Sequence, residues 1–218
     1  MERAITVTTN DRSTIRKLVD AYADDFERAL RLEGPYKDEG YRLVRRTEKI
    51  ISYLRKLKGQ RLLDVGCGPG VVAVKINKEL GLKVDAVDFS EKQVKKARKR
   101  VEAEKADVRI FHEDIMSPSG NSGLHYESYD IVLCKDVIAI YRTDSKKAFL
   151  KELVKYVKPG GHLVMSVLTG ETHPYLYGES PDSYRSMVKE ISETEAYMET
   201  LDEEALLIDL AVENRVGL

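Results

Sequence analysis

Residues 61–71, RLLDVGCGPGV, constrain this chain more than any other stretch. A short apolar run carries an acid, Asp64, and Gly66, Gly68 and Gly70 follow at two-residue spacing. Glycine costs about 0.5–1 kcal/mol inside regular structure. Three glycines in five residues therefore mark a backbone that turns sharply or is approached closely. The run before them has the length and apolarity of a buried strand. Residues 71–80, VVAVKINKEL, read as a helix that Gly81 stops. Strand, Gly-rich turn and helix in that order open a parallel α/β unit.

The same texture continues downstream. KVDAVD (83–88) alternates like a second strand, and Ser90 caps a helix through 104, with Gln93 three residues on. Residues 108–112 form a third strand. YDIVLC (129–134) is a fourth, almost wholly apolar and so buried on both faces. A helix over 145–157 is broken by Pro159-Gly160-Gly161, and HLVMSV (162–167) is a fifth strand. Upstream lie two amphipathic helices, 12–32 and about 41–57, joined by the loop EGPYKDEG. The fold class is α/β: a doubly wound, mainly parallel sheet of at least five strands with helices on both faces. Crossovers are right-handed, and ligands sit at the carboxyl ends of the strands. At 218 residues the chain fits a single domain, with residues 1–58 as an N-terminal helical segment and 59–218 as the sheet domain.

Composition narrows the function classes. No apolar run approaches the roughly 18 residues of a membrane span, and MERAITVTTNDRS has no apolar signal region. Two cysteines are too few for a disulfide framework, and the four histidines are scattered without metal-ligand spacing. The protein therefore reads as cytoplasmic and metal-free. A net charge of -1 argues against a nucleic-acid partner, and the run KKARKR (95–100) reads as a solvated helix face. The absence of Trp beside abundant Lys and Glu is a thermophile-like bias.

Two ligand classes use a Gly-rich turn after a first parallel strand. Dinucleotides prefer GxGxxG, with the pyrophosphate at the helix N-terminus. Here the spacing is GxGxG, and Asp64 stands just before it. A carboxylate there opposes a pyrophosphate and suits a ligand that carries positive charge. LLDVGCGPG resembles the first motif of the class I S-adenosylmethionine-dependent methyltransferases. The resemblance extends through VDAVDFS, FHEDI, YDIVLCKDVI and VKPGGHLVMS. Each of these segments lies at a strand end, in the family's order.

That resemblance implies a Rossmann-like fold, with S-adenosylmethionine as cofactor and S-adenosylhomocysteine as product. It places Asp64, Gly66, Cys67, Gly68 and Gly70 at the methionine half of the cofactor. Asp88 would accept hydrogen bonds from both ribose hydroxyls, with Phe89 against the adenine. Asp114 would lie near the adenine amino group, Ile115 on the ring, and Cys134 and Lys135 at the cofactor's edge. Cys67 is a small filler rather than a nucleophile, and His112 is structural. Tyr22 and Tyr36 are candidates for a lid, since the N-terminal segment often covers the cofactor in related enzymes. His173, in TGETHPYLYGESP, and Tyr141 are candidates for the acceptor pocket or for proton removal. In-line methyl transfer needs no covalent enzyme intermediate, and it needs a base only if the acceptor arrives protonated.

The NPPY-type sequence of many amino-group methylases of DNA and protein is absent, and CKDVIA stands in its place. A small-molecule acceptor follows. The alternatives are a cofactor-binding subunit without catalysis, an RNA methyltransferase or an NAD-dependent oxidoreductase. In the tail, TLDEEALLIDLAV (200–212) reads as a helix capped by Asp202, and 183–198 as another. The family's C-terminal antiparallel hairpin is then missing. Strand five becomes an open apolar edge, which calls for a homodimer or a compensating element.

Overall fold

The computed structural model describes residues 12–30, 37–120, 123–170, 177–192 and 196–212. Two helices, α1 (Arg12–Leu30) and α2 (Lys37–Leu54), precede the sheet. Then come β1 (Arg61–Val65), α3 (Val71–Leu80), β2 (Lys83–Asp88), α4 (Glu91–Glu104) and β3 (Val108–His112). The second half runs β4 (Tyr129–Lys135), α5 (Thr143–Tyr156), β5 (Val157–Leu168), α6 (Pro181–Lys189), β6 (Tyr197–Asp202) and β7 (Ala205–Val212). Among the described residues the sheet has seven strands in the order β3-β2-β1-β4-β5-β7-β6, and only β7 runs against the others, so its pairings with β5 and β6 are antiparallel.

Alternation along the central strands builds two apolar layers. Leu62 of β1, Ile131 and Leu133 of β4 and Val164 of β5 pack with Ile50 and Ile51 of α2 and Val74 and Ile76 of α3. Their neighbours Leu63, Val65, Val132, Leu163 and Met165 face the opposite layer, with Phe149, Leu153 and Tyr184 of α5 and α6. Helices therefore cover both faces, and the strands must be apolar throughout.

The tail corrects the sequence reading. Residues 205–212 are a strand, not a helix, and the antiparallel hairpin is present. β7 pairs with β5 from Gly161↔Val212 to Leu168↔Ala205, so the apolar edge of strand five is closed within the chain. The compensating element exists, and the homodimer loses its structural reason. Seven of the eight β7 residues are buried, a pattern that a continuous apolar run shares with a buried helix. The β6–β7 turn is Glu203-Glu204, and neither residue takes a positive φ. No Asn-Gly or Gly-Gly signal was therefore needed to make the hairpin. Asp202 is a turn residue rather than a helix cap: its Oδ1 accepts the Glu204 amide at 3.0 Å. The helix expected over 183–198 is the shorter α6, which ends at Lys189.

The other elements fall close to where the sequence puts them, with two shifts: α2 starts at Lys37, inside the stretch read as a loop, and β5 starts at Val157 and runs through Pro159-Gly160-Gly161, read as a break. Ser90 caps α4 by accepting the Gln93 amide at 3.1 Å. The Gln93 side-chain oxygen finds no partner among the described residues, so only half of the capping box forms there.

Candidate cofactor site

The Gly-rich turn folds back on β2. The Gly66 and Cys67 amides donate to the Val87 carbonyl at 2.8 and 3.1 Å. Gly66, Gly68 and Gly70 all take positive φ, at 70°, 54° and 75°. L-residues with a Cβ adopt that region only at a cost of about 1–2 kcal/mol. A Cβ on Gly66 would also lie 2.3 Å from Val137 Cγ2, and one on Gly70 would lie 3.0 Å from the Ala97 Cβ. The glycines therefore serve two needs. They bend the chain, and they let the segment after β4 and helix α4 approach the turn.

Asp88 closes the turn from the tip of β2. Its Oδ2 accepts the Gly68 amide and its Oδ1 the Ser90 amide, each at 2.9 Å. Each oxygen keeps a lone pair for a further donor. Burial raises the Asp88 pKa, the two amides oppose that shift, and the charge of Asp20 on α1 adds to it. Asp64 on β1 is 2% exposed, and its Oδ2 has no hydrogen-bond partner among the described residues. Burial pushes its pKa up to about 7, against the pull of Lys135 and with the repulsion of Asp88. A buried carboxylate oxygen without a donor is costly unless a ligand supplies one.

A cleft opens at these strand tips. Gly66, Asp88, Phe89, Asp114, Ile115 and Tyr141 contribute to its wall. Ile115 is buried, and Tyr141 packs on Phe149 with ring centroids 4.6 Å apart. Helix α1 crosses the outer side of this wall. Ile15 and Val19 pack with Phe89 and Ile140, and the Arg16 guanidinium lies 5.8 Å from the Phe89 ring centre. Ser90 Oγ bonds Asp20 of α1, while Lys92 and Lys96 reach Asp24 at 2.9 and 2.7 Å. Part of the basic run of α4 is thus engaged in holding α1.

The expected site residues divide accordingly. Gly66, Asp88, Phe89, Asp114, Ile115 and Tyr141 line the cleft, while Asp64, Gly68 and Gly70 lie outside its lining, Gly68 being tied to it through Asp88. Cys67 is buried beside them, and burial raises its pKa well above the ordinary thiol value, consistent with a filler. Cys134 is fully buried in the α5–α6 layer, not in the cleft wall. The side chain of Lys135 is 9% exposed and pairs with Asp136 at 2.5 Å. The Tyr22 side chain, Tyr36 and His173 lie outside the described residues. Sequence reasoning missed Val137 and Phe149, which line the cleft. Val137 sits two residues past β4, and its only signal was its place after a strand tip.

These features fit a nucleoside with a cationic tail. Phe89 and Ile115 give the cleft apolar faces, Asp88 adds a carboxylate to its wall, and Asp64 keeps a carboxylate oxygen without a donor among the described residues. Residues 62–161 match the model of a methyltransferase domain. The ubiquinone biosynthesis O-methyltransferase of Vibrio cholerae is 27% identical over 174 residues, 79% of this chain and 67% of that protein. The corresponding protein of Rickettsia typhi is 29% identical over 132 residues, 60% of this chain and 50% of that protein. Over residues 62–161 the chain is similar to the S-adenosylmethionine-dependent methyltransferases. It spans about half to two thirds of the length of these curated relatives.

Solved structures share this fold. The Synechocystis PCC 6803 magnesium protoporphyrin IX methyltransferase with bound SAH superposes with a TM-score of 0.74 at 18% identity, covering 91% of this chain and 98% of that one. A Burkholderia thailandensis 1,6-didemethyltoxoflavin-N1-methyltransferase, with its acceptor and S-adenosylhomocysteine, gives 0.66 at 14% identity, covering 96% and 94%.

Proposed function

We propose that this methyltransferase moves a methyl group from S-adenosylmethionine to a hydroxyl oxygen of a small-molecule acceptor. The observation that carries the reading is the pairing of acids at the strand tips. Asp88 stands ready for hydroxyl donors, and Asp64 has a buried oxygen that lacks a donor. When bound, the donor supplies an electrophilic methyl on a cationic sulfur. Asp64 would hold its ammonium, Asp88 its ribose, and Phe89 with Ile115 its base. Helix α1 packs against the outside of that wall and would exclude water from it, which strengthens electrostatic contacts within. The oxygen acceptor is supported by the names of the curated relatives.

A small molecule is also supported by the engagement of Lys92 and Lys96 with Asp24, which leaves less free basic surface for a nucleic acid. No helix among the described residues is long and apolar enough to cross a membrane. We read the protein as cytoplasmic, with a thermophile's composition.

The test is methyl transfer from tritiated S-adenosylmethionine to catechol, benzoate and benzylamine in parallel. The reading requires label in the catechol ether. Label on the amine alone, or on none of the three, contradicts it.

A further inference from the structure

Asp136 follows β4 directly and takes a left-handed backbone, φ 60°, without being glycine. Such residues cost of order 1–3 kcal/mol unless the surroundings enforce them, and they cluster at functional sites. Alternation explains what the strain achieves. Leu133 packs in the α2 layer, alternation puts Lys135 on the same side, and an extended residue 136 would point to the other face. The left-handed turn returns the Asp136 carboxylate to the side of Lys135 and Ser166. Its Oδ2 takes the Lys135 ammonium at 2.5 Å, and its Oδ1 takes the Ser166 hydroxyl. Lys135 and Ser166 are register partners across β4 and β5, and Asp136 N donates to the Ser166 carbonyl at 3.0 Å.

Both side-chain partners are shielded, at 9% exposure for Lys135 and 0% for Ser166, while the Asp136 carboxylate remains 20% open. A left-handed aspartate is a common turn residue. A turn alone, however, requires neither a buried lysine nor a buried hydroxyl to aim the carboxylate. Position supplies the rest. The sheet runs β2-β1-β4-β5, so Asp136 lies across β1 from Asp88, on the flank away from the ribose-binding acid. The methionine end, marked by Asp64, lies between them, and Lys135 lowers the pKa of Asp64 from this side.

We propose that Asp136 is the acceptor-facing catalytic residue, binding the acceptor O–H and taking its proton. This rests on the hydroxyl-acceptor reading above. As that proton passes to a carboxylate oxygen, the acceptor oxygen's electron pair bonds the methyl carbon, and the carbon–sulfur pair returns to sulfur. Lys135 and Ser166 hold the carboxylate in place, and the proton then leaves to solvent through the open side of Asp136.

The test uses the full chain, Asp136→Asn and, as a second variant that accepts left-handed φ without strain, Asp136→Gly. Two acceptors are compared: catechol, and 4-nitrocatechol at a pH where it is already ionised. Without a proton to remove, 4-nitrocatechol needs no base. Both variants should bind S-adenosylhomocysteine calorimetrically as the wild type does. They should lose about 100-fold or more in kcat with catechol, and far less with 4-nitrocatechol. Equal losses on both acceptors, or none on either, overturn the proposal. So does a parallel loss of S-adenosylhomocysteine affinity, which would put Asp136 under the donor's ammonium instead. A wild type that methylates neither catechol defeats the hydroxyl-acceptor reading itself, and this inference with it; a variant failure is told apart because the wild type then turns over.

Discussion

The Asp88 carboxylate receives the Gly68 amide at 2.9 Å and so ties the tip of β2 to the Gly-rich turn. One acid thereby organises the turn and lines the cleft. The sequence suggests a purely ligand-facing role, but the geometry adds a structural one. Asp88→Ala leaves the buried Ser90 amide and the part-buried Gly68 amide without acceptors, and the buried one alone costs about 1–3 kcal/mol. The variant should lose S-adenosylhomocysteine binding in calorimetry and also melt earlier without ligand. Asp88→Asn, whose oxygen accepts only one of the two amides well, should fall between. An Asp88→Ala protein that melts like wild type would show that the turn does not depend on this acid.

Asp64 sets a pH window. Its folded pKa is raised to about 7 from 3.8, chiefly by burial. For an acid raised on folding, the unfolded chain ionises first. Stability is therefore lost as pH climbs from about 4 to about 7 and is flat above. Ligand binding runs the other way, since an ammonium favours the ionised acid. S-adenosylhomocysteine affinity should rise up to about pH 7 and then level. In Asp64→Asn that rise should vanish, and the ligand-free protein should be stabilised at pH 8 but not at pH 4. Parallel pH profiles in wild type and Asp64→Asn would rule out Asp64 as the titrating group.

Gly66 is constrained twice, by its φ of 70° and by Val137. Gly66→Ala should therefore cost more than the roughly 1–2 kcal/mol of left-handed strain alone. The double change Gly66→Ala with Val137→Ala should recover the steric part and not the strain. Urea melts of the three proteins separate the two contributions. Full recovery in the double variant would mean that backbone strain at Gly66 is negligible.

Away from the cleft, Asp209 on β7 joins His162 on β5 at 3.0 Å and the Tyr53 hydroxyl of α2 at 2.7 Å. The hydrogen bond to Asp209 raises the His162 pKa above 6.5, against partial burial. For a base raised on folding, the stabilisation is complete below about 6.5 and is lost as pH rises through the folded pKa. Asp209→Asn should destabilise at pH 6 by about 2 kcal/mol, the scale of hydrogen bonds to a charged group, and by less at pH 9. Chemical denaturation at both values measures this. Equal losses would assign the effect to Tyr53 alone.

The two halves of the chain differ in how plainly their sequences read. β1, β2 and β4 are legible because their apolar runs end at Gly66, Asp88 and Lys135-Asp136, while β5 starts at Val157, through a Pro-Gly-Gly that reads as a break. The site acids Asp64 and Asp88 are legible because they stand at those ends. The β6–β7 hairpin is not. ALLIDLAV is buried on both faces and built from good helix formers, and its turn uses two glutamates in ordinary backbone regions. Pairing with β5 decides its state, and that contact joins segments about forty residues apart. Asp136 is hidden for a related reason. Its sequence context looks like a strand end, and only a backbone angle brings it to Ser166.

Calorimetric titration of the intact chain with S-adenosylhomocysteine and, separately, with NAD tests the central claim most directly. The account predicts saturable, single-site heat with S-adenosylhomocysteine, abolished in Asp88→Ala, and no heat with NAD. Saturable binding of NAD with none for S-adenosylhomocysteine would contradict it.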